Sequence, residues 1–238
     1  MLLNVIKSEY ILIATRHRLS GLTRQLDIRI GDCILKRVRS TKTLGVIIDE
    51  GLTWSEHIAH VCKKANRGLA AMRCARSFVP AETLMNIYQT MVLPHLDYCA
   101  PVWDTCGKGL RDRVQKIQNR AGRIITRCDY SVRSKDILQS LGWDDIGTRH
   151  LKQKLITMYK TLNNEMPKYL HDFFQYVSEA HKHNLRGSHS NLTLPRPRTN
   201  YLKNSFKYSG AVSWNSLPLN VRESSSVMVF KNKLNQIL

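Results

Sequence analysis

The chain has 238 residues, 42% of them hydrophobic, enough to bury a core in one large or two small domains and too apolar for a disordered chain. Lysine and arginine number 37 against 18 acidic residues, a net charge of +19. Such a charge resists compaction unless an anionic partner offsets it, so nucleic acid is the favoured partner and an anionic membrane surface the second.

In chain order, the residues up to about Asp49 read as β-structure: Tyr10 to Ala14 and Ile28 to Ile34 carry apolar or alternating runs, divided by Gly21 and Gly31-Asp32. Leu44 to Ile48 is a β-branched apolar run closed by Asp49-Glu50-Gly51, a strand ending in a turn. Thr53 and Glu56 have capping-box spacing, so a helix is expected to follow. From Ser55 to Arg76, Ile58, Val61, Cys62, Ala65, Leu69 and Met72 share one face, with Lys63, Lys64 and Arg67 opposite. Pro80-Ala81-Glu82 opens a second helix with Leu84, Ile87, Tyr88, Met91 and Val92 inward, until Pro94 breaks or kinks it.

A third helix, Leu110 to about Arg127, has Leu110, Val114, Ile117, Ala121 and Ile124 spaced 4, 3, 4 and 3 along one seam. Beside that seam Arg113, Lys116, Arg120, Arg123 and Arg127 form a row about 20 Å long with no carboxylate in it. A solvated face is the ordinary reading of such a row; in a chain of +19 a phosphate-binding surface is favoured. Further helices are expected after Ser134, ending at Gly142, and from Asp145 to Asn163 with Ile146, Leu151, Leu155, Met158 and Leu162 inward. Asp144-Asp145, the one adjacent aspartate pair, reads as the cap and first turn of that helix. Met166 to Val221 is looser, with His181-Lys182-His183 and Arg196-Pro197-Arg198 exposed as basic arms or linker, before a last helix using Val229, Phe230, Leu234 and Ile237.

The fold class is therefore α+β: β-hairpins over 1–52, a mostly helical domain over 53–165, and a looser basic region over 166–238 ending in a helix. No apolar run reaches the ~20 residues of a membrane span, and Lys7 and Glu9 interrupt the apolar start, so a spanning helix and a signal peptide are not expected. An intracellular chain, nuclear or cytoplasmic and not secreted, with free thiols at its six cysteines, fits this reading. No C-x-x-C pair occurs, and His57, His60 and Cys62 fit a helix better than a ligand set, so no metal site is assigned. Trp54, Tyr88, Tyr98, Trp103, Trp143 and Trp214 could stack on bases, but each adjoins an apolar seam or turn and is expected in the core.

Lys42 to Ile58, KTLGVIIDEGLTWSEHI, resembles the segment that follows the palm in reverse transcriptases of non-LTR, LINE-like retrotransposons. In the same order, Asn4-x-x-Lys7-x-Glu9 is similar to the family's Asn-x-x-Lys-Thr-Glu, with Ser8 in place of Thr. Ile87 to Trp103 and the Gln118-Asn119 to Ile125 stretch resemble two further family blocks. Asn184-Leu185-Arg186, Pro197-Arg198-Thr199, Ser205-Phe206, Trp214 to Pro218 and Phe230-Lys231 resemble its tail. The resemblance implies the C-terminal part of an RNA-directed DNA polymerase: the end of the palm, the thumb and a post-thumb region. Leu44, Gly45 and Val46 would then lie in the hairpin that supports the primer end. Lys63, Lys64, Arg67 and the five cations of the third helix would grip RNA and DNA, as an RNA–DNA duplex, by its phosphates. Lys7 matches the family's palm lysine, a proton donor to pyrophosphate, or is a surface charge on a hairpin. The family's catalytic Ala-Asp-Asp lies upstream of the Asn-x-x-Lys segment, and Met1 precedes Asn4 by only three residues. The expectation is thus a fragment inactive alone, with no cofactor of its own. Mg²⁺ would belong to the intact polymerase, and the missing palm and fingers of the same reading frame become candidate partners. The alternative is a stand-alone helical interaction module whose basic face meets a protein or an anionic membrane.

Overall fold

A computed structural model describes residues 4–21, 26–180 and 190–238. The chain divides into two compact units, Met1–Lys63 and Lys64–Leu238. The combination of short strands and many helices is α+β, as the sequence patterns predict.

In the first unit, a one-turn 3₁₀ helix, Val5–Lys7, precedes β1 (Glu9–Ile11) and a short helix α1 (Arg16–Ser20). Five more described strands complete three two-stranded sheets: β2 (Arg29–Ile30) with β3 (Cys33–Ile34), β1 with β4 (Lys36–Val38), and β5 (Ser40–Thr43) with β6 (Val46–Asp49). The first and last of these pairs are antiparallel, whereas β1 and β4 run parallel. Helix α1 lies in a region whose sequence reads as β throughout. The predicted strand at Leu44 begins two residues later, at Val46. Leu44 and Gly45 form the hairpin turn, at φ 46° and 89°, and the two positive values are the type I′ signature that matches strand twist.

The junction to helix α2 (Ser55–Ala75) is built differently from a capping box. Asp49 is its centre, its carboxylate accepting from the amides of Gly51 (3.1 Å), Thr53 (3.0 Å) and Trp54 (2.9 Å) and from the Thr53 hydroxyl (3.2 Å). A charged acceptor outcompetes the Thr53 hydroxyl for these amides, because charge-assisted bonds are roughly twice as strong as neutral ones. Along α2 the expected face, Ile58, Val61, Cys62, Ala65, Leu69 and Met72, is buried.

In the second unit, α3 (Ala81–Ile87) runs into a π-turn, Tyr88–Val92, and on into α4 (Leu93–Asp97) and α5 (Ala100–Trp103). The wider turn absorbs Pro94, which lacks the amide an α-helix needs there, and the Thr90 hydroxyl donates to the Asn86 carbonyl (2.8 Å). It also resets the buried face to Leu84, Tyr88, Val92, Leu96 and Ala100, every fourth residue. Met91, expected inward from 3.6-residue spacing, is consequently 47% exposed. At Gly68 of α2 a Cβ would stand 2.7 Å from Val92 Cγ2 and 2.9 Å from the Met91 carbonyl, so only glycine permits this approach. Of the six Trp and Tyr residues expected in the core, Tyr98 departs, being half exposed.

Helices α6 (Lys108–Thr126), α7 (Ser134–Ser140) and α8 (Ile146–Leu162) follow at nearly their predicted bounds. Gly142 ends α7 at φ 64° in a Schellman cap, with Trp143 N to Leu138 O at 2.9 Å and Gly142 N to Gln139 O at 3.1 Å. The remaining helices are α9 (Lys168–His171), α10 (Val177–Ala180), α11 (Asn200–Asn204), α12 (Phe206–Asn215), α13 (Leu219–Arg222) and α14 (Val227–Ile237). The stretch read as loose supplies Phe174, Leu192, Ala211, Trp214, Leu217 and Val221 to one core with Leu155, Met158 and Tyr159 of α8 and Phe230 and Leu234 of α14. Its helices are too short to show a periodicity, which is why the sequence reads as loop. Ile237, predicted inward, is 45% exposed. No helix among the described residues is long and apolar enough to cross a membrane.

Candidate nucleic-acid interface

Helix α6 buries Val114, Ile117, Ala121, Ile124 and Ile125, with Leu110 half-buried. Gln118, only 2% exposed, sits in the same face. Its amide donates to the Asp144 carbonyl (2.9 Å) and accepts from Gln115 Nε2 (2.8 Å), while Gln115 Oε1 accepts from the Ile146 amide (2.8 Å). Gln115 and Gln118 thereby satisfy backbone groups at the start of α8 and fix how α6 is rolled. Its outward side carries Arg113, Lys116 and Arg120, all exposed, with no ion pair or hydrogen bond to any described residue. These three span about 10 Å of helix, from 1.5 Å rise per residue.

The other two members of the predicted row have internal partners. Arg123 donates through Nη2 to the Val132 carbonyl (3.0 Å) and the Ser134 hydroxyl (3.1 Å), and its guanidinium lies 5.3 Å from the Tyr130 ring centroid. Arg127 is the C-cap of α6, at φ 58°, and donates to the carbonyls of Arg76 (3.2 Å) and Val79 (3.1 Å). Spacing along a helix places five cations on one side but is silent about the loops that reach back to them. Lys63, Lys64 and Arg67 are exposed on α2, as expected. His95 lies near enough to Lys64 for its imidazole to be held below its usual 6.5, by burial first and by that charge second. No hydrogen bond or ion pair among the described residues joins the α2 cations to those of α6.

In the first unit Lys7 is exposed and ends a one-turn 3₁₀ helix, not a hairpin. Asn4 caps that turn by accepting from the Lys7 amide (3.2 Å), and Glu9 accepts from the Thr41 hydroxyl (2.9 Å). The Asn-x-x-Lys-x-Glu spacing thus has a local structural reason. Leu44, at the hairpin tip, is 88% exposed, Gly45 is exposed beside it and Val46 is buried. His57 accepts from the Ile47 amide at Nδ1 (3.3 Å) and so ties the hairpin to the first turn of α2. Burial, and secondarily the charge of His60, lowers its pKa from 6.5, which keeps the imidazole neutral and able to accept.

The aspartate pair is committed elsewhere. Asp145 caps α8, accepting from the amide (3.1 Å) and hydroxyl (2.9 Å) of Thr148, and Asp144 pairs with Lys152 at 2.7 Å. Among the described residues no three His, Cys, Asp or Glu side chains are grouped to hold a metal ion. The interior of the second unit holds charges the sequence patterns did not reveal. Asp104, after α5, pairs with Lys154 of α8, both largely buried. Arg149 clasps Asp97 (2.6–2.9 Å), and His150 at 2.8 Å from the Leu96 carbonyl packs edge-on against Trp103. The paired signals were visible only as polar residues within the α8 periodicity. Of the tail motifs, Asn184-Leu185-Arg186 and His181-Lys182-His183 lie outside the described residues, while Arg196-Pro197-Arg198 is exposed.

No family model and no solved structure matches the chain. It is 26% identical over 160 residues to the probable RNA-directed DNA polymerase from transposon X-element of Drosophila melanogaster, covering 66% of this chain and 16% of that protein. With the probable RNA-directed DNA polymerase from transposon BS of the same species it shares 27% over 130 residues, 53% of this chain and 14% of the relative. With the RNA-directed DNA polymerase from mobile element jockey of Drosophila funebris it shares 25% over 125 residues, 51% and 14% of the two chains. The match thus spans only about a sixth of the length of these curated relatives. The concordance of these matches with the ordered motifs leads to one conclusion: the chain is related in sequence to the RNA-directed DNA polymerases of non-LTR retrotransposons.

Proposed function

We propose that this chain is a C-terminal portion of a retrotransposon RNA-directed DNA polymerase that holds an RNA–DNA template–primer duplex by its phosphates. The observation that carries this reading is the outward face of α6, where Arg113, Lys116 and Arg120 have no internal partner and the opposite face is committed to the core. Phosphate contacts position a duplex without reading its sequence. Lys64 and Arg67, with Lys63 at the end of the first unit, are further exposed cations on α2 that suit phosphate contact. Arg123 and Arg127 add charge at the end of α6 while remaining tied to carbonyls. The Leu44-Gly45-Val46 hairpin supports the primer end, and Lys7 acts as a proton donor only in a complete palm.

The test is a salt titration of wild type and the triple variant Arg113→Gln, Lys116→Gln, Arg120→Gln on two RNA–DNA duplexes of unrelated sequence. Each phosphate contact contributes about 0.7–0.9 to the log–log slope, so the triple variant should lower the slope by roughly 2–3, equally on both duplexes. An unchanged slope, or a loss confined to one sequence, refutes the grip. Anionic vesicles serve as the control: strong vesicle binding without duplex retention would instead support the interaction-module reading. Because Asp144 and Asp145 are engaged in an ion pair and a helix cap, the chain alone should not extend a primer with Mg²⁺ or Mn²⁺. Template-dependent extension that survives controls for contaminating polymerase would overturn this part.

A further inference from the structure

Two aromatic rings stand out from the protein at the C-terminal end of α6. Phe78, in the turn between α2 and α3, is 87% exposed, and Tyr130, between α6 and α7, is 84% exposed. Rings of this size are ordinarily buried at least in part, so their exposure forgoes stabilisation. Both are nonetheless held. Arg127 donates to the carbonyls of Arg76 and Val79, on either side of Phe78, and the Phe78 amide donates to the Ala75 carbonyl (2.9 Å). Arg123 lies over one face of Tyr130 and bonds the Val132 carbonyl two residues on, leaving the rest of the ring to solvent. Arg123 and Arg127 are four residues apart, so one turn of the same helix end fixes both loops. The two loops and their flanks carry Arg73, Arg76, Arg133 and Lys135 besides Arg123 and Arg127, against the carboxylates Glu82, Asp129 and Asp136.

We propose that Phe78 and Tyr130 form a stacking platform for unpaired bases of single-stranded nucleic acid. The chemistry is that of sequence-tolerant single-strand binding: every base has a π-face, a cation behind the ring strengthens the stack, and positive charge around it follows the strand. A closed duplex offers no such face except at its ends. The proposal rests on the nucleic-acid reading above and extends it from duplex phosphates to an unpaired strand leaving the duplex.

The full chain is measured against a single-stranded oligonucleotide carrying 2-aminopurine, as DNA and as RNA, and against a blunt RNA–DNA hybrid. Affinity is read by anisotropy and stacking by 2-aminopurine quenching. Phe78→Ala and Tyr130→Ala should each weaken single-strand binding about five- to a hundredfold and relieve the quenching. Tyr130→Phe should retain both, and blunt-hybrid affinity should stay within about twofold, because phosphate contacts carry it. Phe78→Ala should melt like wild type, since its ring is in water. Unchanged single-strand affinity and quenching in both alanine variants would refute the platform while leaving the α6 grip standing if its charge variant loses duplex binding. Loss in the aromatic variants beside an unchanged salt slope in the α6 variant would support the platform and sink the grip. Binding to no nucleic acid would refute both, and self-association abolished by Phe78→Ala would reassign the rings to a second copy of the chain.

Discussion

Replacing Lys154 by methionine breaks the most buried ion pair described in the second unit. The Lys154 and Asp104 side chains are 6% and 10% exposed, and Lys154 also reaches the Ser209 hydroxyl at 3.4 Å. Asp104 keeps one buried oxygen, Oδ1, without a protein partner. Burial raises its carboxyl above the usual 3.8, and the attraction of Lys154 offsets that rise only in part. Lys154→Met therefore leaves a largely buried carboxylate without its direct ion-pair partner, a change that costs about 3–5 kcal/mol. For a unit of this length the same loss lowers the melting temperature by roughly 6–20 °C. The sign with pH follows from the raised carboxyl. The folded state takes up the proton before the unfolded state does, so the associated stability is present at low pH and is lost as pH rises through the folded pKa. Without Lys154 that pKa moves higher still, and the gap from wild type should narrow on going from about pH 8 toward about pH 5. Adding Asp104→Leu should return the double variant to within about 2 kcal/mol of wild type, since an apolar pair can replace a buried ion pair. Thermal melts of wild type, the single variant and the double variant across that pH range provide the check. A single variant that loses less than about 1 kcal/mol, or a double variant no better than the single, would refute the assignment of a buried, mutually dependent pair.

Three further outcomes follow from particular contacts. Arg120→Gln should change stability by less than about 0.5 kcal/mol, whereas Arg123→Gln should cost about 1–3 kcal/mol because it leaves the Val132 carbonyl and the Ser134 hydroxyl without their donor; equal denaturant midpoints for the two variants would contradict this. Leu44→Asn should stabilise the protein by about 1 kcal/mol, since a leucine at φ 46° is strained where asparagine before glycine is the preferred turn; a lower midpoint would show that the leucine side chain supplies a compensating contact. His57 should titrate below 6.5 when followed through the Ile47 amide shift by NMR, and the stability this bond confers, present above that pH, should be lost as pH falls through the lowered pKa; a His57 pKa at or above 6.5 would remove the argument.

Much of the fold was legible because long amphipathic helices announce themselves: α2, α6 and α8 lie within two residues of their predicted bounds, with their apolar faces buried. Gly142 and Asp145 could be read as caps because their roles are set by neighbours three to five residues away. The sequence also sufficed to relate the chain to retrotransposon polymerases, since an ordered set of motifs survives where overall identity is only about a quarter. What tertiary structure alone decided was the partnership of each polar side chain. Identical arginine spacing leaves Arg113 and Arg120 in solvent and turns Arg123 and Arg127 to carbonyls, because loops distant in sequence fold back to the same helix end. The π-turn that re-phases Met91, the Asp104–Lys154 pair and the core contributed by the short C-terminal helices likewise depend on contacts between segments far apart in the chain. Local periodicity reports which face of an element is apolar, and only the assembled neighbours determine which charges remain available to a ligand.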